Sequence, residues 1–106
     1  TDAHSSNLYW GCSLGALARL AEKKGYAFVG CNSHGNNSYF VRKDRLGSLK
    51  PVTVEAGYVE SKFRESRDES GKLSYLGGAA RLKAIEHLPV VEVTSGRQGP
   101  LNEFLA

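Results

Sequence analysis

Residues 24–31 read KGYAFVGC, and what surrounds them settles how they fold. Immediately before lies SLGALARLAEKKG, residues 13–25. Ser13 is suited to cap a helix, its side-chain oxygen taking an orphan backbone N–H. Leu14, Leu17, Ala18 and Ala21 then recur at the three-and-four spacing of one helix face, with Leu20 beside them. Lys23 and Lys24 occupy the last turn, where cations suit the helix dipole. Gly25 supplies the left-handed residue that ends the helix. The spacing therefore predicts a helix over 13–24. YAFVGCN is apolar on both faces and rich in aromatic and β-branched residues, so a strand over Tyr26–Asn32 buried on both sides is expected. SHGNN brings together Gly35, Asn36 and Asn37, residues that tolerate positive φ in tight turns. SYFVRKD returns as a second strand, Ser38–Asp44, centred on Tyr39, Phe40 and Val41.

Beyond Leu49 the character changes. Lys50-Pro51 marks a break, and Thr53 is placed to cap a short helix running through about Phe63. RESRDESGK is polar and turn-like around Gly71. Gly77-Gly78 precedes AARLKAIEHL, a second amphipathic helix carrying Leu82, Ile85 and Leu88. Pro89 stops it, VVEV reads as a short edge strand, and TSGRQGP as a loop. The expected organisation is a helix and hairpin in 1–49, followed by a helical and loop extension in 50–106.

A chain of 106 residues, 41% hydrophobic and 24% charged, has the make-up of one small soluble domain with a modest core. No stretch is apolar for about 18 residues, so no transmembrane helix is expected. TDAHSSN lacks the basic and apolar regions of a signal peptide. The chain starts at Thr1 and contains no Met, so it is expected to be part of a longer product. Cys12 and Cys31 show no metal-ligand spacing and are expected as free, buried thiols in a reducing cytoplasm. The net charge of +3 is modest, and Lys62, Arg64 and Arg67 alternate with Glu60, Glu65, Asp68 and Glu69. That pattern is a solvated surface rather than a nucleic-acid footprint.

KGYAFV resembles the start of the RNA-recognition octamer, in which a basic residue and Gly lead into alternating aromatics. Tyr26 and Phe28 would then be the base-stacking rings. Spacing argues against it. The helix fills the residues between Leu14 and Tyr26, leaving no room for the strand that must precede the octamer.

A second resemblance covers nearly the whole chain. YWGCSLGALARLAEKKGYAFVGCNSHGNNSYFVRKD resembles the C-terminal part of class I S-adenosylmethionine-dependent methyltransferase-like proteins of the FkbM type. SKFRESRDESGKLSYLGGAARLKAIEHLPVVEV is similar to the extension such proteins carry after that hairpin. The resemblance implies an α/β fold: the helix and terminal β-hairpin of a Rossmann-like sheet, followed by a mainly helical C-terminal extension. The family's Gly-rich cofactor loop belongs to its first half, and no G-x-G-x-x-G stands in this chain. No cofactor is therefore expected to bind these residues alone, although S-adenosylmethionine is implied for a full-length relative.

Ligands of open α/β sheets sit beyond the C-terminal ends of the parallel strands. On that geometry Tyr9, Trp10, His34, Asn36 and Asn37 are the substrate-side candidates. Turn formation competes as an explanation for Asn36 and Asn37, and packing for Tyr9 and Trp10. Cys12 near a helix N-terminus has no orienting partners for nucleophilic work. The expected role is a non-catalytic segment that completes a sheet and shapes a substrate rim. An interaction or assembly subunit is the alternative. Either way an unpaired sheet edge calls for a missing N-terminal half or another chain, so an oligomer or complex is expected.

Overall fold

Ser13 opens the first helix as its chemistry requires. Its Oγ accepts from the Ala16 N–H at 3.1 Å, and α1 runs over Leu14–Lys23. Lys24 donates back to the Leu20 and Ala21 carbonyls, and Gly25 follows at φ +83°. The computed structural model describes residues 3–62 and 65–105. The chain is mixed α/β, with two small antiparallel sheets, and it divides into two compact units. One is Cys12–Phe63; the other joins Thr1–Gly11 to Arg64–Ala106.

In the first unit, β1 (Tyr26–Cys31) pairs antiparallel with β2 (Ser38–Arg42). Register shifts by one residue between Phe28 and Gly30, a bulge that Gly30 accommodates at φ +135°. Phe28 and Phe40 stand opposite each other with ring centroids 5.3 Å apart. A 3-10 turn over Lys43–Arg45 follows β2, where the sequence had suggested strand to Asp44. α2 is a single turn, Val54–Gly57, capped by the Thr53 hydroxyl on the Ala56 N–H at 3.1 Å. The helix expected through about Phe63 thus ends at Gly57, and Phe63 itself lies outside the described residues. Gly57 brings α2 against β1. A Cβ there would sit 2.5 Å from the Phe28 ring and 2.8 Å from a Val52 methyl.

The strand is less enclosed than its composition suggested. Ala27 and Phe28 are buried, at 4% and 6% exposure, but Tyr26 is exposed and Val29 to Cys31 are half-buried. The reason is that a two-stranded sheet, α1 and one turn of α2 provide little cover. The two edges also differ. Lys43 N–H donates to the Gly25 carbonyl and Asn32 N–H to the Asn37 carbonyl. By strand alternation, the backbone groups of Ser38, Phe40 and Arg42 then face away from β1. Among the described residues, no backbone group bonds to that outer edge of β2. The outer edge of β1 instead receives the Val52 N–H on the Phe28 carbonyl at 3.0 Å.

The second unit is built on hydroxyl groups. Ser66 is fully buried; its Oγ lies 2.7 Å from Ser74 Oγ and accepts from the Leu76 N–H at 2.9 Å. Arg67 pairs with Leu73 across a turn in which Asp68 Oδ1 accepts from the Ser70 N–H, the Ser70 hydroxyl and the Lys72 N–H. Residues 3–11, read from the sequence with the helix and hairpin, bond into this unit instead. Arg67 N–H donates to the Ser6 carbonyl at 2.9 Å, and the Tyr9 hydroxyl donates to the Pro89 carbonyl. Residues 50–62 lie in the other unit, so the compact units do not part at 49/50.

α3 spans Gly78–Ile85, within the helix expected from AARLKAIEHL. The segment expected as the TSGRQGP loop contains a strand. β3 (Pro89–Val91) pairs with β4 (Gln98–Pro100), and a 3-10 turn, Leu101–Phe104, follows. Glu92 makes this hairpin possible. One carboxylate oxygen accepts from the Thr94 N–H and hydroxyl, the other from the Ser95 N–H and hydroxyl, closing the turn before Gly96 at φ +75°. Arg97 then lies 4.4 Å above the Phe104 ring. With this sheet present, the C-terminal half is not mainly helical.

Candidate functional site

The β1–β2 turn carries three of the five candidate residues, His34, Asn36 and Asn37. Asn32 organises it. Its Oδ1 accepts from the N–H groups of Asn36 and Asn37 at 3.2 Å each, and its amide donates to Asn36 Oδ1 at 2.8 Å. The Asn32 carbonyl accepts from Gly35 N–H at 3.1 Å. The backbone N–H groups of Gly35, Asn36 and Asn37 are therefore spent on the turn itself. His34, Asn36 and Asn37 leave their side chains at the exposed surface.

A second strand of chain braces this turn. Lys62 N–H donates to the His34 carbonyl at 2.8 Å. A Cβ at Gly35 would collide with the carbonyls of Val59 and Glu60, at a position where φ is +69°. Only glycine meets both demands. The sequence pointed to the turn but not to Asn32 as its organiser or to 59–62 as its support. Asn32 four residues before Asn36, flanking a glycine, was the available signal.

Tyr9 and Trp10 belong to the other unit. The Tyr9 hydroxyl is committed to Pro89, while Trp10 donates its indole N–H to the Asn7 carbonyl at 3.2 Å and remains 69% exposed. The structure thus describes the candidates as two separate sets, one within each unit.

The helix–hairpin unit also holds an open cleft of about 380 Å3, lined by none of the five. Ala18, Phe28 and Val52 provide its apolar wall, Tyr26 borders it, and Glu22 pairs with Lys43 at its margin. Glu22 and Lys43 lie far apart in sequence, and only the return of the chain after β2 brings them together. As an exposed ion pair it contributes little to stability.

Cys12 is exposed and Cys31 half-buried, contrary to the expectation of two buried thiols. Cys12 precedes the Ser13 cap, outside the packed face of α1, which is why its apolar character did not bury it. Two carboxylates are held below their usual range. For Asp68 the Ser70 hydroxyl is the main cause, supported by the Lys72 N–H. For Glu92 the Thr94 hydroxyl leads, followed by the Ser95 hydroxyl, bringing it to about 2. Both serve turns: their acceptor oxygens are filled by local donors, leaving little capacity for acid–base work.

Among the described residues, no helix is long and apolar enough to cross a membrane. Comparison with protein-family models, with curated proteins and with solved structures finds no match.

Proposed function

We propose that residues 13–44 are the closing helix and hairpin of a Rossmann-like, methyltransferase-type sheet whose other strands come from polypeptide beyond these 106 residues. The observation that carries this reading is the open outer edge of β2. Ser38, Phe40 and Arg42 present backbone donors and acceptors with no backbone partner among the described residues. Edges of this kind are normally paired or covered. An isolated two-stranded hairpin is also marginal in water, and among the described apolar residues only Ala27 and Phe28 are buried.

In this role the segment is not catalytic. Its order of helix, Gly cap, strand, turn and antiparallel strand agrees with the family likeness in the sequence. His34, Asn36 and Asn37 would shape the substrate rim from the turn. The residues present do not fit S-adenosylmethionine: among the described residues no Gly-rich turn follows a strand, and the N–H groups of Gly35, Asn36 and Asn37 at the β1–β2 turn are already used by Asn32. The cofactor would be held by the rest of the sheet.

The same edge supports a second reading, an assembly subunit whose β2 pairs with another protein. Tyr39, 51% exposed on that strand, would be covered in such a complex. Amide exchange separates the possibilities. Phe40 and Arg42 amides should exchange rapidly in the isolated chain and become protected when the completing polypeptide is supplied. Calorimetry with S-adenosylmethionine should show no binding by this chain alone and binding by the completed sheet. Protection without cofactor binding would support the assembly reading. Slow exchange at both amides in a monomer would remove both.

A further inference from the structure

The unit that joins residues 3–11 to the C-terminal half contains a feature unrelated to the β2 edge. His4 and His87 stand with ring centroids 5.9 Å apart and ring planes at 69°. We propose that this pair is a two-imidazole site for a late first-row divalent cation, Cu2+ before Zn2+ or Ni2+, with water completing the coordination. The ranking follows the general order of affinity for nitrogen ligands.

The separation suits a bridging ion. Zinc–nitrogen bonds of about 2.0–2.1 Å, plus about 1.2 Å from nitrogen to ring centre, put the metal about 3.2 Å from each centroid. Two rings on one ion are then about 5.3 Å apart at a tetrahedral angle and about 6.5 Å apart when collinear. The observed 5.9 Å falls inside that interval.

One ring is already oriented. His4 Nδ1 lies 2.8 Å from Ser6 Oγ and accepts a longer bond, 3.3 Å, from the Ser6 N–H. Ser6 is only 5% exposed and is fixed in turn: its Oγ accepts from Leu8 N–H at 3.2 Å and its carbonyl from Arg67 N–H at 2.9 Å. A metal on Nε2 makes Nδ1 a donor to Ser6 Oγ, and the longer bond from the Ser6 N–H is given up in exchange. Such an outer partner fixes the tautomer and orientation of a ligating histidine. His87 supplies the adjustable half. It follows the end of α3, is exposed, and its ring makes no hydrogen bond to a described residue, so it can turn either nitrogen toward the ion. Among the described residues, no third His, Cys, Asp or Glu joins the pair, which makes this an open site rather than a cage.

His34, the third histidine of the chain, lies in the other unit and serves as an internal control. Zn2+ titrated into the intact chain at pH 7.5 in a non-coordinating buffer should bind one-to-one. The ring resonances of His4 and His87 should shift while those of His34 do not. Paramagnetic resonance with Cu2+ should show two imidazole nitrogens on the ion. His4→Ala and His87→Ala should each weaken binding about tenfold or more, and His34→Ala should leave it unchanged. Affinity should fall on acidification, because protons compete with the ion for the ring nitrogens. If the alanine variants do not fold, the resonance experiments on the unmodified chain decide. A Cu2+ signal with fewer than two imidazole nitrogens, Zn2+ shifts centred on His34, or folded His4→Ala and His87→Ala variants that bind undiminished would overturn the site.

Discussion

The two units of this chain use different means to order their backbone. In the helix–hairpin unit, a pair of phenylalanines stacks across β1 and β2, and glycine lets α2 come down on one of them. In the other unit no large apolar side chain among the described residues is buried; Ser6 and Ser66 are, with hydroxyls bonded to backbone amides and to other side chains. Apolar burial is non-directional and tolerates adjustment, whereas a buried hydroxyl must find its partners or cost stability. The first unit should therefore respond to changes in volume, and the second to changes in donors and acceptors.

The largest effect should come from Phe28→Ala, a loss of about 3–5 kcal/mol in denaturant unfolding, with faster exchange at the Ala27 and Val41 amides. A loss below about 1 kcal/mol would mean that the aromatic pair does not organise the unit. Gly57→Ala should cost about 1–3 kcal/mol, because the added methyl displaces the buried Phe28 ring. Gly25→Ala is a useful contrast. Its Cβ would meet open space, so only the positive φ opposes it and the cost should be about 1–2 kcal/mol.

In the hydroxyl-centred unit, Ser66→Ala should destabilise by about 1–3 kcal/mol despite removing a single oxygen, since Leu76 N–H and Ser74 Oγ lose a partner. Rapid exchange at Leu76 would be its signature, and an unchanged Leu76 amide would show that another acceptor replaces the hydroxyl. The smallest effect should be local and pH-dependent. The Glu92 carboxyl is depressed from 4.5 to about 2, so its contribution is fully present above about 4.5 and is lost as pH falls through about 2. A carboxyl-carbon NMR titration should give that midpoint, with the Thr94 and Ser95 amides shifting together. Glu92→Gln should loosen the same turn at neutral pH, because an amide has one acceptor oxygen where the carboxylate uses two.

Legibility in the sequence followed the same division. α1, its Ser13 cap, Gly25 and the β1–β2 hairpin were readable because each rests on neighbours within about four positions. The Thr53 cap was readable for the same reason, but the length of α2 was not. VVEV was read as a short strand and overlaps β3, but its β4 partner was missed because the turn depends on the Glu92 side chain filling four local donors, in a stretch that otherwise looks like polar loop. For the candidate site, His34, Asn36 and Asn37 were placed on the turn, while Asn32 and the supporting residues 59–62 were not. For Tyr9, nothing local signals that its hydroxyl will donate to a carbonyl 80 positions away.

By itself the sequence determined the helix, the glycine that ends it, and the aromatic and β-branched run that makes YAFVGC a strand. Those follow from backbone preference and side-chain period, which act over a few residues. Tertiary structure alone decided that only Ala27 and Phe28 of that strand would be buried, that no described backbone group would bond to the outer edge of β2, and that His4 would meet His87. Each of those depends on which distant segment arrives, and no local period encodes that.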